Sequence, residues 1–144
     1  MMFPRRTAAA VLVLAFGTGL TACSDDTSRE RTAVEGTWVL EEFDALDLDA
    51  DPAVETTITL EGGNVAGNGG VNTLKGTYDA PEDGKISFGD LTATTVSGSE
   101  AAMLQEETFL AELAKVENFE YDSEDSELEL KDAQDDTLIV LRAR

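Results

Sequence analysis

The sequence predicts a mainly β domain of the α+β class, a small antiparallel β-barrel or strongly curved sheet with one packed α-helix at about residues 98–116. Three observations support this class. Short runs rich in β-branched residues alternate apolar with polar positions. Turn-forming residues separate these runs every several positions. A single segment changes to the helical period, in which apolar residues return every three or four positions.

The first half of the domain contains only predicted strands. The opening run, Gly36–Phe43, places Trp38 and Leu40 on one face, and an acidic loop follows it. Gly62 and Gly63 accept the positive φ angles of a tight hairpin. Two short strands are predicted after the proline-containing turn at Pro81. The predicted strands of this half are residues 36–43, 56–60, 73–78, 86–88 and 91–94.

The helical segment begins with Ser97 and Glu100, which have the spacing of a capping box. Projected on a helix, its apolar residues form one stripe that we expect to pack on the sheet. Glu107, Glu112 and Lys115 are expected at the edge of the stripe or beyond it. The predicted stripe consists of Ala102, Met103, Phe109, Leu110, Leu113 and Ala114.

Three further strands are predicted after the helix, at residues 119–121, 127–130 and 137–141. The last of them is apolar at successive positions, as in a strand that is buried on both faces. We therefore expect it near the centre of the sheet.

The chain begins with the pattern of an export signal. Arg5 and Arg6 precede an apolar run at residues 8–16, which is too short to span a membrane as a mature helix. Leu20-Thr21-Ala22-Cys23 resembles the bacterial lipobox, and Cys23 is the only cysteine of the chain. We predict a signal peptide at 1–22, a lipidated Cys23 with a polar tether at 23–35, and a domain at 36–144. The alternative is an ordinary secretory signal that contains a cysteine by chance.

A lipidated Cys23 would anchor the protein to the outer face of the cytoplasmic membrane or to the outer membrane. The formal net charge of -20 opposes binding to nucleic acid and electrostatic adhesion to anionic lipid. The chain has no histidine, so imidazole general bases and the usual zinc sites are excluded. Lipid on Cys23 would also remove the only thiol nucleophile. We predict no catalytic residue, no metal and no cofactor.

Several local motifs resemble those of the META domain, a family that includes the heat-inducible HslJ protein and many bacterial lipoproteins. The resemblance covers about residues 36 to 141. Many members carry two cysteines where this chain has Val71 and then Ser97 or Gly98, so any role of those thiols is missing here. The matching motifs are Gly36-Thr37-Trp38, the run from Gly67 through Asn72 to Tyr78, Thr94 or Thr95, and Met103-x-x-Glu106-x-x-Phe109-x-x-x-Leu113.

The resemblance implies a small β-rich fold with a helix and no agreed catalytic activity. Its members have been associated with envelope stress, heat induction and novobiocin resistance. Our first hypothesis is therefore a non-enzymatic envelope lipoprotein that binds a protein or a small ligand and contributes to stress or drug tolerance. A structural or accessory domain without a ligand is the second hypothesis, and a hydrolase that uses acidic residues is a distant third.

Glu106 is the candidate site residue, because it falls in the middle of the apolar stripe. A buried carboxylate must find hydrogen-bond donors or take up a proton. Asn72, Thr94 and Trp38 are the donors that we nominate from the motif positions. Two interpretations stay open at this point: a polar site that recognises a ligand, or a buried glutamate that holds the helix in register.

Two other patterns resemble binding sites. Asp47-x-Asp49-x-Asp51 has the first ligand positions of a calcium loop, but Pro52 and Ile58 replace the glycine and glutamate that the loop requires. The glycine-rich run from Gly67 to Gly70 lacks the Lys-Ser/Thr continuation of a phosphate loop. We expect solvated charge in the first segment and tight turns or a bulge in the second.

Overall fold

The alternating segments form one curled antiparallel sheet in the computed structural model, which describes residues 33–81 and 84–144. The α-helix at Glu100–Leu113 accompanies the sheet, which confirms the predicted fold class. The strands are β1 (Gly36–Phe43), β2 (Leu48–Asp49), β3 (Thr57–Glu61), β4 (Asn64–Asn68), β5 (Thr73–Asp79), β6 (Ser87–Ala93), β7 (Asn118–Asp122), β8 (Glu127–Lys131) and β9 (Thr137–Ala143). The helix α1 is Glu100–Leu113, and a 3₁₀ helix occupies Asp44–Leu46.

The strand order is β6-β5-β4-β3-β1-β9-β8-β7, with β2 paired to β1. The two outer strands of this order meet at one corner, where a bridge joins Lys85 to Asn118. The amide of Phe119 donates to the Gly84 carbonyl oxygen at 2.8 Å, and the amide of Ile86 donates to the Glu117 carbonyl oxygen at 3.2 Å. The sheet is therefore curved far enough for its edges to touch, as a barrel requires.

The concave side of the sheet holds the apolar core. Alternate residues of the strands point into it, so the period-two pattern of the sequence corresponds to burial. Strand β9 lies between β1 and β8, near the centre of the sheet as predicted. Its residues Leu138, Ile139, Val140 and Leu141 are all buried. Other large buried side chains include Trp38, Phe43, Ile58, Leu60, Leu74, Phe109, Leu113, Leu128 and Leu130.

The predicted hairpin between β3 and β4 is confirmed. Gly62 and Gly63 form its two-residue turn with φ angles of 57° and 86°. Positive φ at both central positions is the geometry of a type I′ turn, which matches the twist of the flanking strands. This turn fixes the register in which Leu60 faces Val65.

Two predictions about the connections are wrong. The separate strands expected at 86–88 and 91–94 are one strand, β6, in which Asp90 and Leu91 form a bulge opposite Gly76. The acidic loop after β1 also contains structure, because β2 pairs Leu48 with Phe43 and Asp49 with Glu42. Strand β2 has only two residues and therefore no apolar alternation of its own, and the bulge interrupts the alternation of β6.

The helix differs from its prediction in its cap. Ser99 is the N-cap residue rather than Ser97, and its hydroxyl accepts from the Ala102 amide at 3.2 Å. The box of Ser97 with Glu100 is therefore wrong, because the helix begins at Glu100 itself.

The buried face of α1 is also rotated relative to the predicted stripe. Gln105 and Glu112 are buried, whereas Met103 and Ala114 are exposed. Hydrogen bonds from the sheet side hold Gln105 and Glu106, so these polar residues turn inward while Met103 turns to solvent.

The predicted signal peptide at 1–22, Cys23 and most of the predicted tether lie outside the described residues. Within the described part of the chain, no helix has the length and apolarity needed to span a membrane.

Candidate functional site

The carboxylate of Glu106 lies at the junction of α1 with the turn between β4 and β5. One of its oxygens, Oε2, accepts from the backbone amides of Val71 at 3.0 Å and Asn72 at 2.7 Å. The other oxygen, Oε1, accepts from Asn72 Nδ2 at 2.7 Å. Glu106 is only 7% exposed, so these three protein donors replace the water that burial removes.

Asn72 connects this carboxylate to the segment that follows β6. Its side-chain oxygen accepts from the Thr94 hydroxyl at 2.8 Å and from the Val96 amide at 2.6 Å. Its Nδ2 also donates to the Val96 carbonyl oxygen at 3.1 Å. The side chain of Asn72 thus joins three separate segments: the β4–β5 turn, the residues after β6, and α1. We call these hydrogen-bonded residues, Glu106, Val71, Asn72, Thr94 and Val96, the Glu106 network.

Of the three donors nominated for Glu106, the structure confirms one, Asn72. Asn72 contacts Glu106 directly, as expected. Thr94 does not donate to Glu106; its hydroxyl donates to Asn72 and accepts from the Thr73 amide at 3.1 Å. The assignment of Thr94 as a direct donor is therefore wrong, although it belongs to the same network.

Trp38 is not part of the network, and its nomination is wrong. Its Nε1 donates to the Val34 carbonyl oxygen at 2.9 Å, an acceptor four residues earlier in the chain. Its ring meets the ring of Tyr121 edge to face, with centroids 5.9 Å apart. Trp38 is therefore a core residue near the start of β1.

The hydrogen bonds keep Glu106 charged. Burial acts to raise its pKa, but the backbone and side-chain donors of Asn72 and the Val71 amide together outweigh burial, so the pKa lies below its ordinary value. Glu106 is consequently ionised at neutral pH, which makes it a weak proton acceptor and a poor proton donor.

Gly69 gives the carboxylate room. A Cβ atom at this position would lie 2.6 Å from Glu106 Cγ and 2.8 Å from Oε2, closer than real Cβ contacts allow. The Gly69 amide donates to the Asn72 carbonyl oxygen at 3.0 Å, which closes the turn. The glycine run therefore leads into a tight turn, as predicted, and the amides of Val71 and Asn72 that follow it donate to Glu106 of the helix.

Gln105 is a buried polar residue that the sequence interpretation missed. Its Oε1 accepts from the Asp51 amide at 2.7 Å, and its Nε2 donates to the Val54 carbonyl oxygen at 3.0 Å and to Thr56 Oγ1 at 2.9 Å. Its spacing contained the signal, because Gln105 lies three residues after Ala102 and four before Phe109, on the same helix face. Gln105 attaches α1 to the loop before β3.

The neighbouring acidic loop is not arranged as a metal site. Asp47 adopts a left-handed conformation with φ of 48°, and Asp49 pairs with Glu42 in the sheet. The Asp51 side chain accepts from the Ala53 amide at 2.8 Å. Among residues 33–81 and 84–144, no group of three or more Asp, Glu, His or Cys side chains is close enough to hold a metal ion.

An open groove of about 440 Å³ lies outside β1 and β9, next to the same loop. Val39, Ala50 and Pro52 give it an apolar floor, and Arg142 lies on its wall. Arg142 is already paired with Glu41 at 2.7 Å. The groove is a surface feature that could take a small ligand without using the Glu106 network.

The Glu106 network is therefore suited to holding structure together. Every oxygen of the carboxylate accepts a protein donor, and the side chain is shielded from solvent. A catalytic acid or base needs an open path to its proton and a pKa near the working pH. Glu106 has neither property in this arrangement.

The comparisons with known proteins agree on the fold. The sequence model of one family, the META domain, matches residues 31–144. A solved structure described as the NMR structure of a protein from Burkholderia xenovorans is similar, with a TM-score of 0.65 and 19% sequence identity over 99% of each chain. At that identity the likeness concerns the fold alone. No curated protein matches the chain.

Proposed function

This chain belongs to the META domain family, and from that premise we propose that it is a non-enzymatic envelope lipoprotein whose domain binds a protein or a small ligand. The lipid on Cys23 holds it on the extracytoplasmic side of a membrane. Binding there contributes to tolerance of envelope stress or drugs.

The observation that carries the non-enzymatic part of the proposal is the use of Glu106. It is the acidic residue that the motif places in a protected position, and its three hydrogen bonds and lowered pKa commit it to joining α1 to the sheet. The chain also lacks histidine and has a single cysteine in the lipobox-like motif. The side chains that remain for function are those of the surface, which recognise a partner rather than transform a substrate.

The targeting part of the proposal depends on residues 1–23. A cationic start, a short apolar run and small residues before Cys23 are the features that a lipoprotein peptidase and acyl transferases recognise. Two or more acyl chains make such anchoring stable. Metabolic labelling with an alkyne fatty acid should label the wild-type chain and leave the Cys23→Ala chain unlabelled.

Crosslinking in living cells tests the binding role. The anchored protein, carrying a C-terminal tag, is crosslinked, purified and examined by mass spectrometry, with the Cys23→Ala form as its control. We expect a reproducible partner that is lost or strongly reduced in the control. Absence of any partner in both forms would contradict a protein-binding role and favour a ligand screen.

A self-contained structural domain is the second candidate, because the hydrogen bonds of Glu106 would stabilise a domain without a ligand in the same way. Native mass spectrometry of the purified protein separates the two: a small molecule that survives purification contradicts the purely structural role. Turnover of an envelope substrate that Glu106→Gln abolishes without unfolding the protein would overturn the non-enzymatic proposal.

A further inference from the structure

Helix α1 leaves two large apolar side chains exposed to solvent. Met103 is 43% exposed and Leu104 is 61% exposed. Leu48 of β2 is 49% exposed, and it lines the same depression of about 160 Å³ as Leu104. We call these three residues the helix–strand surface. Apolar side chains that cluster in this way, rather than singly, mark interaction sites on soluble domains.

Carboxylates surround this surface. Glu100 and Glu107 line the shallow depression that contains Met103 and Leu104, and Asp49 lines the one that contains Leu48 and Leu104. The described residues that line these two depressions include no lysine or arginine. The surface therefore combines an apolar centre with an acidic rim, which is the usual division of a protein interface.

We propose that the helix–strand surface docks a basic amphipathic segment of another envelope protein. The apolar face of that segment covers Met103, Leu104 and Leu48, and its lysine or arginine side chains pair with the acidic rim. This inference rests on the proposed function, because it names the partner of the binding domain.

The charge of the rim selects this occupant over two others. A second copy of the chain, docked through the same surface, would bring Glu100 and Glu107 against their own equivalents, and like charges oppose that contact. An anionic lipid surface would be repelled by the same carboxylates. A basic protein segment satisfies both the apolar centre and the rim.

A designed peptide tests the chemistry directly. The probe is a fluorescently labelled helical peptide of leucine and lysine, with the leucines on one face. It is titrated against the proposed mature chain, residues 23–144 with Cys23→Ala, so that neither lipid nor detergent competes. We expect the Met103→Ser/Leu104→Ser variant to bind about tenfold more weakly or worse. Leu48→Ser, on a different element, should weaken binding in the same direction. Glu100→Gln/Glu107→Gln should reduce both the affinity and its dependence on salt.

Tyr121→Ser is the matched control. Tyr121 is 40% exposed, similar to Met103, and it packs on Trp38 of β1. Trp38 lies five residues before Phe43, the partner of Leu48, which is ~17 Å along the strand. We expect Tyr121→Ser to bind the peptide as the parent does. A second control peptide carries glutamate in place of lysine and should not bind.

Two results would overturn the proposal. Unchanged peptide binding by Met103→Ser/Leu104→Ser would indicate attraction to overall negative charge alone, and equal weakening by Tyr121→Ser would indicate unspecific adsorption to exposed apolar side chains. The cellular crosslinking experiment separates this proposal from the proposed function. A partner whose capture survives Met103→Ser/Leu104→Ser leaves a binding protein that uses another surface. A crosslink from position 104 to a second copy or to lipid also contradicts the basic partner.

Discussion

Asn72 binds Glu106 twice, through its backbone amide and through Nδ2, and each nitrogen is 2.7 Å from a carboxylate oxygen. The same side chain accepts from Thr94 and Val96, so one residue closes the contact between the turn, the helix and the segment after β6. The stability of the domain should therefore depend strongly on Asn72.

Replacing Asn72 by alanine should lower the free energy of unfolding by about 2 to 3 kcal/mol, because it removes a donor from a buried charge and leaves the Val96 amide without its acceptor. Urea denaturation measures this loss. Asn64→Ala, at an exposed position of β4, is the control and should change stability by less than about 0.5 kcal/mol. Equal effects of the two substitutions would contradict the role assigned to Asn72.

Glu106→Gln should destabilise the domain by about 2 kcal/mol at neutral pH, since an amide nitrogen would face the donors that now bind Oε1 or Oε2. The folded-state pKa of Glu106 is lowered from an ordinary value near 4.5, so its stabilisation is present above that value. It is lost as the pH falls through the lower folded-state pKa. Urea titrations between neutral and acidic pH should show the gap between wild type and variant closing below about pH 4.

The exposed neighbour provides the control for that series. Glu107→Gln should have nearly the same free energy of unfolding as the wild type, both at neutral pH and in acid. A gap for Glu106→Gln that stays constant into acid would mean that charge is not what the network stabilises.

Gly69→Ala should destabilise by about 1 to 3 kcal/mol, because the added methyl group would lie against Glu106. Gly89→Ala is the matched control, since the nearest atom to its Cβ would be Thr77 Oγ1 at an ordinary 3.4 Å. Combining Gly69→Ala with Glu106→Ala should give less than the sum of the two losses in a double-mutant cycle. Full additivity would show that the clash lies elsewhere.

Gln105→Ala should loosen the loop before β3 without unfolding the sheet. The Asp51 amide loses its acceptor, so its hydrogen exchange should accelerate by about tenfold or more. Glu107→Ala, on the exposed face of the same helix, should leave that amide as protected as in wild type. Unchanged exchange at Asp51 in Gln105→Ala would refute the attachment.

Ser99→Ala should cost about 1 kcal/mol through loss of the helix cap, whereas Ser97→Ala should be close to neutral. Thermal unfolding followed by circular dichroism compares the two. A larger loss of stability for Ser97→Ala than for Ser99→Ala would support the capping box that the sequence spacing predicts.

Sequence pattern located β1, β3, β5, β8 and β9, because burial on the concave side of the sheet imposes a period of two that Trp38 and Leu40 already display. It did not show β2, and it divided β6 into two strands. It also identified Glu106, since a carboxylate inside an apolar stripe must be buried or rotated away. Asn72 was found through its motif. Each of these features could be predicted because it depends on the residue type and on its neighbours within a few positions of the chain.

The remaining errors have a common physical origin. Two of the three donors to Glu106 are backbone amides, and a sequence does not show which amides a turn will point at a helix. The rotation of α1 follows from hydrogen bonds between Gln105 and a loop that lies some fifty residues earlier in the chain. Ser97 and Ser99 differ by two positions, which is the ordinary uncertainty of a helix boundary.

The pairing of β1 with β9 has a kinetic consequence. Trp38 faces Ala143, and Leu40 faces Leu141, so a central seam of the sheet joins residues about a hundred positions apart. Such a contact gains its energy only after the loop-closure entropy of nearly the entire domain has been overcome. Until β9 has been synthesised, β1 lacks one neighbour and the core lacks four buried residues. The nascent chain should therefore stay unfolded until β9 emerges, and the export that we propose from residues 1–23 would then act on an extended polypeptide.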